Sequence, residues 1–217
     1  QAINYCYDKE GMIRYLRKGV GSPAISGFIP KGLPPYDEQT LIGYNYDPIK
    51  AKALLKAIAY DGSEVVLSTN ETYKDMALYI AKEAEKVGVK LKVDVVQPSL
   101  LREWMVNGQV DFFRGSWIAD YPDAENYLSL FYSKNGAPPN YTRFNSPTFD
   151  LLYEQSFGIG KVEDRYRLYQ QMDSILVEEA PVVFLYYDEI VRITHANIQH
   201  AKPNALNALD IKYIEKR

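Results

Sequence analysis

The chain has 217 residues, 47% of them hydrophobic, enough to bury a sizeable core. A net charge of −3 with scattered lysines and arginines leaves no basic footprint for nucleic acid, and no window approaches the ~18 apolar residues of a membrane span. The single cysteine, Cys6, excludes an intrachain disulfide and any multi-cysteine metal cluster, and its apolar surroundings mark it as a buried small hydrophobe.

Residues 1–19 read as one helix with Ile3, Tyr7, Met12 and Leu16 on a face, ended by Gly19. It begins without a cap, an initiator methionine or a signal sequence, so the chain reads as a fragment of something longer. Residues 20–46 are dense in glycine and proline and read as an extended surface crossing. Asp47-Pro48 is a cap followed by a first-turn proline, opening a helix over 48–60 that Asp61-Gly62 stops. A strand is expected at 64–69, then a helix over 70–88 from an Asn70 cap to Gly88. Residues 89–97 alternate as a half-buried strand, and Ser99 caps a helix running to Gly108. A further strand is expected over 109–117. A Ser-Pro start opens a helix at 146, and 161–180 is a long amphipathic helix carrying Tyr166, Tyr169, Met172 and Ile175. Residues 182–194 read as a buried strand running into a second, and 208–217 as a terminal strand. Helix and strand alternate, which predicts one α/β domain over 1–217 with a mixed β-sheet flanked by helices.

Much chemistry is missing. His195 and His200 are the only histidines, neither in a nucleophile context nor at a helical metal-pair spacing, and both are expected to be ordinary surface or core residues. No glycine-rich phosphate cradle follows a strand, and no cofactor or metal is expected. The 19 tyrosines against 8 phenylalanines suggest a wet recognition surface. Asp120, Asp123 and Glu125 lie close together, and two carboxyls can serve a hydrolase as acid and base. Asp123 and Glu125 are better explained as turn and cap residues of the helix that follows. Asp120 is not, because it ends a buried strand among apolar residues, either paired or awaiting a positive ligand.

An Arg-x-x-Trp at Arg114 and Trp117, followed by Ala119-Asp120-Tyr121-Pro122-Asp123, resembles the ligand-contact segment of the peptide/nickel/oligopeptide (family 5) substrate-binding proteins of ABC transporters. The likeness extends over about 200 residues, through "QAINYCYDKEGM", "GFIPKGLPPY", "YDPIKAKALLKAIAYDG", "YTRFNSPTFDLLYEQS" and "RYRLYQQMDSILVEEAPVVFLYY". It implies the second lobe of a two-lobed, type II periplasmic-binding-protein-like receptor, extracytoplasmic and not an enzyme. That receptor captures a peptide or similar small solute and delivers it to a membrane ABC permease. The first lobe is absent, and the 205–217 segment returns towards it in relatives. The resemblance implies that Asp120 pairs with the ligand's α-amino group, within a contact segment that includes Ile118, Ala119 and Tyr121. Trp117 is either a flat wall for the ligand or a core residue. Arg114 either meets a ligand carboxylate or neutralises Asp120, the internal pair being preferred. Tyr186 or Tyr187 faces the cleft because side chains alternate, with Tyr187 the nominated residue. A metal-chelate-binding relative would need His195 and His200 in the cleft.

Overall fold

The structure, a computed structural model, describes residues 1–201, 209 and 211–217. Asp8 divides the expected N-terminal helix. Its side chain accepts from the Gly11 N–H at 3.0 Å, so α1 (Ala2–Tyr5) ends and α2 (Lys9–Leu16) starts afresh within one apolar stripe. After the crossing, in which only β1 (Ser22–Pro23) is regular, Asp47 caps α3 (Pro48–Ala57) by accepting from Lys50 N–H at 2.9 Å, with Pro48 in the first turn.

β2 (Glu64–Thr69) and β3 (Lys90–Val95) form a parallel pair in register from Glu64 opposite Lys90 to Thr69 opposite Val95. The crossover between them begins with Asn70, which accepts from Thr72 N–H, and a 3₁₀ turn at Glu71–Tyr73. It continues as α4 (Lys74–Val87), which stops at Gly88 in the left-handed region, φ 98°. α5 (Pro98–Asn107) starts at its proline rather than with a Ser99 cap, and ends at Gly108.

The strand expected over 109–117 shrinks to one parallel bridge between Phe113 and Ser68. Ser68 N–H donates to Phe112 O and Arg114 N–H to Ser68 O, both at 2.9 Å. Beyond Arg114 the backbone leaves the sheet through exposed Gly115 and Ser116. α6 (Glu125–Leu128), α7 (Pro147–Ser156) and α8 (Val162–Glu179) follow. The strand expected over 182–194 is also corrected, to β4 (Tyr186–Tyr187) antiparallel to β1. Side chains replace strand neighbours there. Asn4 donates to Val182 O and accepts from Phe184 N–H, while Tyr7 Oη donates to Phe184 O at 2.7 Å. β5 (Ile198–Gln199) pairs with β6 (Glu215–Lys216); of the expected terminal strand, residues 208 and 210 lie outside the described residues.

The crossing is irregular, as its composition predicts, and exposed over 38–40 and at Ile42 and Tyr46, but it is not confined to the surface. Ala24, Ser26, Ile29 and Tyr44 are buried. Two buried charged side chains make that affordable by satisfying its backbone. Lys9 Nζ donates to Ala24 O at 2.7 Å and Tyr44 O at 2.9 Å, and the Asp173 carboxylate accepts from Phe28 N–H at 2.6 Å and Ile29 N–H at 3.2 Å. Burial draws the Lys9 ammonium down to about 7 and pushes the Asp173 carboxyl up to about 7.

Two apolar clusters result. One holds Ile29, Leu128, Phe131, Phe149, Met172 and Leu176, the other Cys6, Tyr7, Met12, Met76 and Ile80, and Tyr5 packs against both. Burial raises the Cys6 thiol to about 12, in keeping with a structural role. Among the described residues no helix is long and apolar enough to cross a membrane.

Candidate functional site

The segment after Phe113 projects from the sheet edge as an irregular loop whose shape is set by the helix that follows. Asn126, on α6 and 5% exposed, offers one side-chain oxygen to two donors: Trp117 Nε1 at 2.7 Å and the Asp120 backbone N–H at 3.2 Å. Trp117 is therefore half-buried, with its polar edge turned inward. The Asp120 carboxylate is exposed, and among the described residues it accepts no hydrogen bond and forms no ion pair. It is thus displayed at a loop rather than enclosed at a strand end. Ile118 beside it is 81% exposed, Ala119 is half-buried and Tyr121 is exposed.

The neighbouring acids are committed elsewhere. Asp123 accepts from Glu125 N–H at 2.9 Å and meets Arg165 Nη2 at 3.4 Å. Glu125 accepts from the hydroxyls of Tyr121 and of Tyr153 on α7. Burial, reinforced by that carboxylate, lifts both tyrosines above the ordinary phenol range. These contacts lash the loop to α7 and α8, and they leave no pair of free carboxyls converging on one point for acid–base work.

Arg114 does not neutralise Asp120, which corrects the preferred sequence reading. Its guanidinium lies over the Tyr73 ring, 3.2 Å from the centroid, and donates to Ser116 Oγ at 3.1 Å and to Tyr186 Oη at 3.3 Å. Its Nε is buried without a partner. Arg17 reaches the same Tyr186 hydroxyl at 2.9 Å, stacks 4.0 Å from that ring's centroid and pairs with Asp188. Two guanidiniums thus share one phenol oxygen, while among the described residues only Arg17 has a carboxylate partner.

Tyr186 and Tyr187 do point opposite ways, but the choice of Tyr187 as the outward member is corrected. That ring is buried, its hydroxyl donating to Gly27 O at 2.9 Å, and Tyr186 is the member of the pair that faces the arginines. Register with Ser22–Pro23 fixes this phase, and nothing in the sequence of 182–194 reveals that pairing. His195 and His200 are exposed, and no group of three or more potential metal ligands occurs among the described residues. Sequence reasoning missed Asn126, Tyr73 and Arg17. The asparagine lies only three residues beyond Asp123 in the same helix start, but its burial comes from tertiary packing.

Comparison with known proteins bears on this site. The family model described as bacterial extracellular solute-binding proteins, family 5 Middle, matches residues 1–139. Heme-binding protein A of Haemophilus influenzae is 32% identical over 190 residues, covering 83% of this chain and 34% of that protein. The probable D,D-dipeptide-binding periplasmic protein DdpA of Escherichia coli is 26% identical over 191 residues, 86% of this chain and 37% of its own. Among solved structures, Helicobacter pylori DppA in complex with the peptide STSA superposes with a TM-score of 0.83 at 22% identity, covering 99% of this chain and 43% of that one. HbpA2 of Haemophilus parasuis reaches 0.86 at 20% identity, covering all of this chain and 44% of that one. The fold is accordingly the α/β type II fold of periplasmic binding proteins, and the chain spans about a third of the length of the curated relatives it matches.

Proposed function

The chain belongs to family 5 of the bacterial extracellular solute-binding proteins, and from that premise we propose that it is the second lobe of the solute-binding component of an ABC importer. In this reading a first lobe, outside this chain, closes over a peptide or similar small solute. The loaded protein then presents its cargo to a membrane permease outside the cytoplasm, with no covalent chemistry.

The observation that carries the reading is the Asp120 carboxylate. It is exposed and unpaired beside acids that are fully occupied, and it sits on a loop held by a buried amide. An ammonium group that gives up water for this carboxylate, in a cleft closed by a second lobe, gains a charge-assisted contact. Trp117 and exposed Ile118, three and two residues before it, supply apolar surface in the same segment. Arg114, a cation with no carboxylate partner among the described residues, would be the group to meet a ligand carboxylate. Ala119 and Tyr121 complete the contact segment, and Tyr187 drops out because it is buried. The hydrolase alternative loses its second carboxyl to Arg165 and to two tyrosines.

The test is calorimetry on the full two-lobed protein with alanine di- to pentapeptides, repeated on Asp120→Asn. The variant is expected to lose about 2–5 kcal/mol of binding, much of it the cost of a buried, unpaired ammonium. Wild-type affinity in Asp120→Asn would overturn the role given to Asp120.

A further inference from the structure

We infer that Asn126 is a positioning residue of the binding site: its single side-chain oxygen locks Trp117 and Asp120 into one unit that meets the ligand. The inference rests on the reading of Asp120 as the ammonium acceptor and goes beyond it, because Asn126 is only 5% exposed and so acts through its neighbours. Trp117 Nε1 and Asp120 N–H are three residues apart in the chain, yet both end on this oxygen, at 2.7 and 3.2 Å. A loop without regular structure has no ladder of its own to fix the direction of its side chains. Here a shared acceptor does so, and its own position is fixed by α6, whose Leu128 is fully buried.

The same helix holds the loop from the other side. Glu125 binds the Tyr121 hydroxyl, one residue past Asp120, and ties it to Tyr153. Asp120 is thus fixed at its own amide and at the next residue while its carboxylate stays free. This is the arrangement that cation recognition requires, since a preorganised acceptor spends little of the binding energy on ordering itself. Removing the Asn126 oxygen frees the indole and the backbone amide together, leaving Asp120 chemically intact but loose.

The experiment measures, in one protein preparation, the ratio of affinities for trialanine and N-acetyl-trialanine, in which a neutral acetamide replaces the ammonium; loss of the ratio in Asp120→Asn separates the charge from the added bulk. Because both ligands see the same folded fraction, the ratio is insensitive to any loss of stability. The full-length wild type is expected to prefer the free amine by about thirtyfold or more, and Asp120→Asn to abolish the preference. Asn126→Ala is expected to lower the ratio by about tenfold, and the double variant to fall no further than Asp120→Asn alone. Should Asn126→Ala not fold, Asn126→Ser, whose hydroxyl is too short to reach both donors, is expected to lower the ratio in the same direction. A wild-type ratio near one would bring down the Asp120 reading and this inference with it. A high wild-type ratio that Asn126→Ala or Asn126→Ser leaves unchanged would overturn the positioning role alone, and so would additive losses in the double variant.

Discussion

Removing the Tyr186 hydroxyl takes one acceptor from two guanidiniums at once. Arg17 keeps Asp188, but Arg114 is left with Ser116 and the face of Tyr73, and its Nε is already without a partner. Tyr186→Phe is therefore expected to destabilise the protein by about 1–2 kcal/mol in denaturant unfolding, with the larger structural change at Arg114. Tyr73→Leu, which removes the aromatic face but not the hydrogen bonds, is expected to cost about 0.5–1 kcal/mol by the same measurement. At this scale the sequence was only partly readable. Asp120 stood out because no turn or cap explained it, and the capping duty of Asp123 could be read from its place before a helix. The partner of Arg114 could not. A carboxylate six residues on was the obvious candidate, whereas the actual neighbours, Tyr73 and Tyr186, come from distant segments.

The elements were most legible where a period and a cap agreed. The strand 64–69 and the start of the helix at Asp47 and Pro48 follow from local chemistry alone, whereas that helix, expected to run to 60, ends at Ala57. Reading failed where side chains substitute for a ladder, as along 182–185, or where a buried charge lets irregular backbone enter the core, as along 24–29. That crossing has a pH signature. The Asp173 carboxyl is raised from 3.8 to about 7 in the folded protein, so the stability it confers is fully present below about pH 4 and is lost as pH rises through 7. The Lys9 ammonium is lowered from 10.5 to about 7, so its contribution is fully present above about pH 10 and is lost as pH falls through 7. The two together weaken the fold most near neutrality. In unfolding free energies measured across the pH range, Asp173→Asn is expected to flatten the acid limb and Lys9→Met the alkaline limb, each relative to wild type. If neither slope changes, these two groups do not govern the crossing. Gly27 belongs to the same device: it sits at φ 97°, and a Cβ there would collide with the Asp173 carboxyl. Gly27→Ala is expected to cost about 2 kcal/mol or more.

At the scale of the whole molecule, the proposed function makes the chain one wall of a binding site. Its contact loop is largely solvated, with Ile118 and Asp120 both open, whereas a small-molecule site normally encloses most of its ligand. The isolated chain is therefore expected to bind trialanine at least about hundredfold more weakly than the two-lobed protein, as measured by calorimetry on the two side by side. Equal affinities would mean that the solute is held by this lobe alone. The α/β character was readable from the alternation of periods. The division of the interior into two clusters joined at Tyr5 was not, because it depends on how α8 and the crossing pack.

The oxygen shared by the Trp117 indole and the Asp120 amide has a practical consequence. A charge arriving at Asp120 changes the field around a fluorophore tethered to the same atom. If Asp120 meets the ligand as proposed, Trp117 emission is expected to change on titration with trialanine without any attached dye. The other tryptophan is Trp104 on α5, so Trp104→Phe isolates the Trp117 signal.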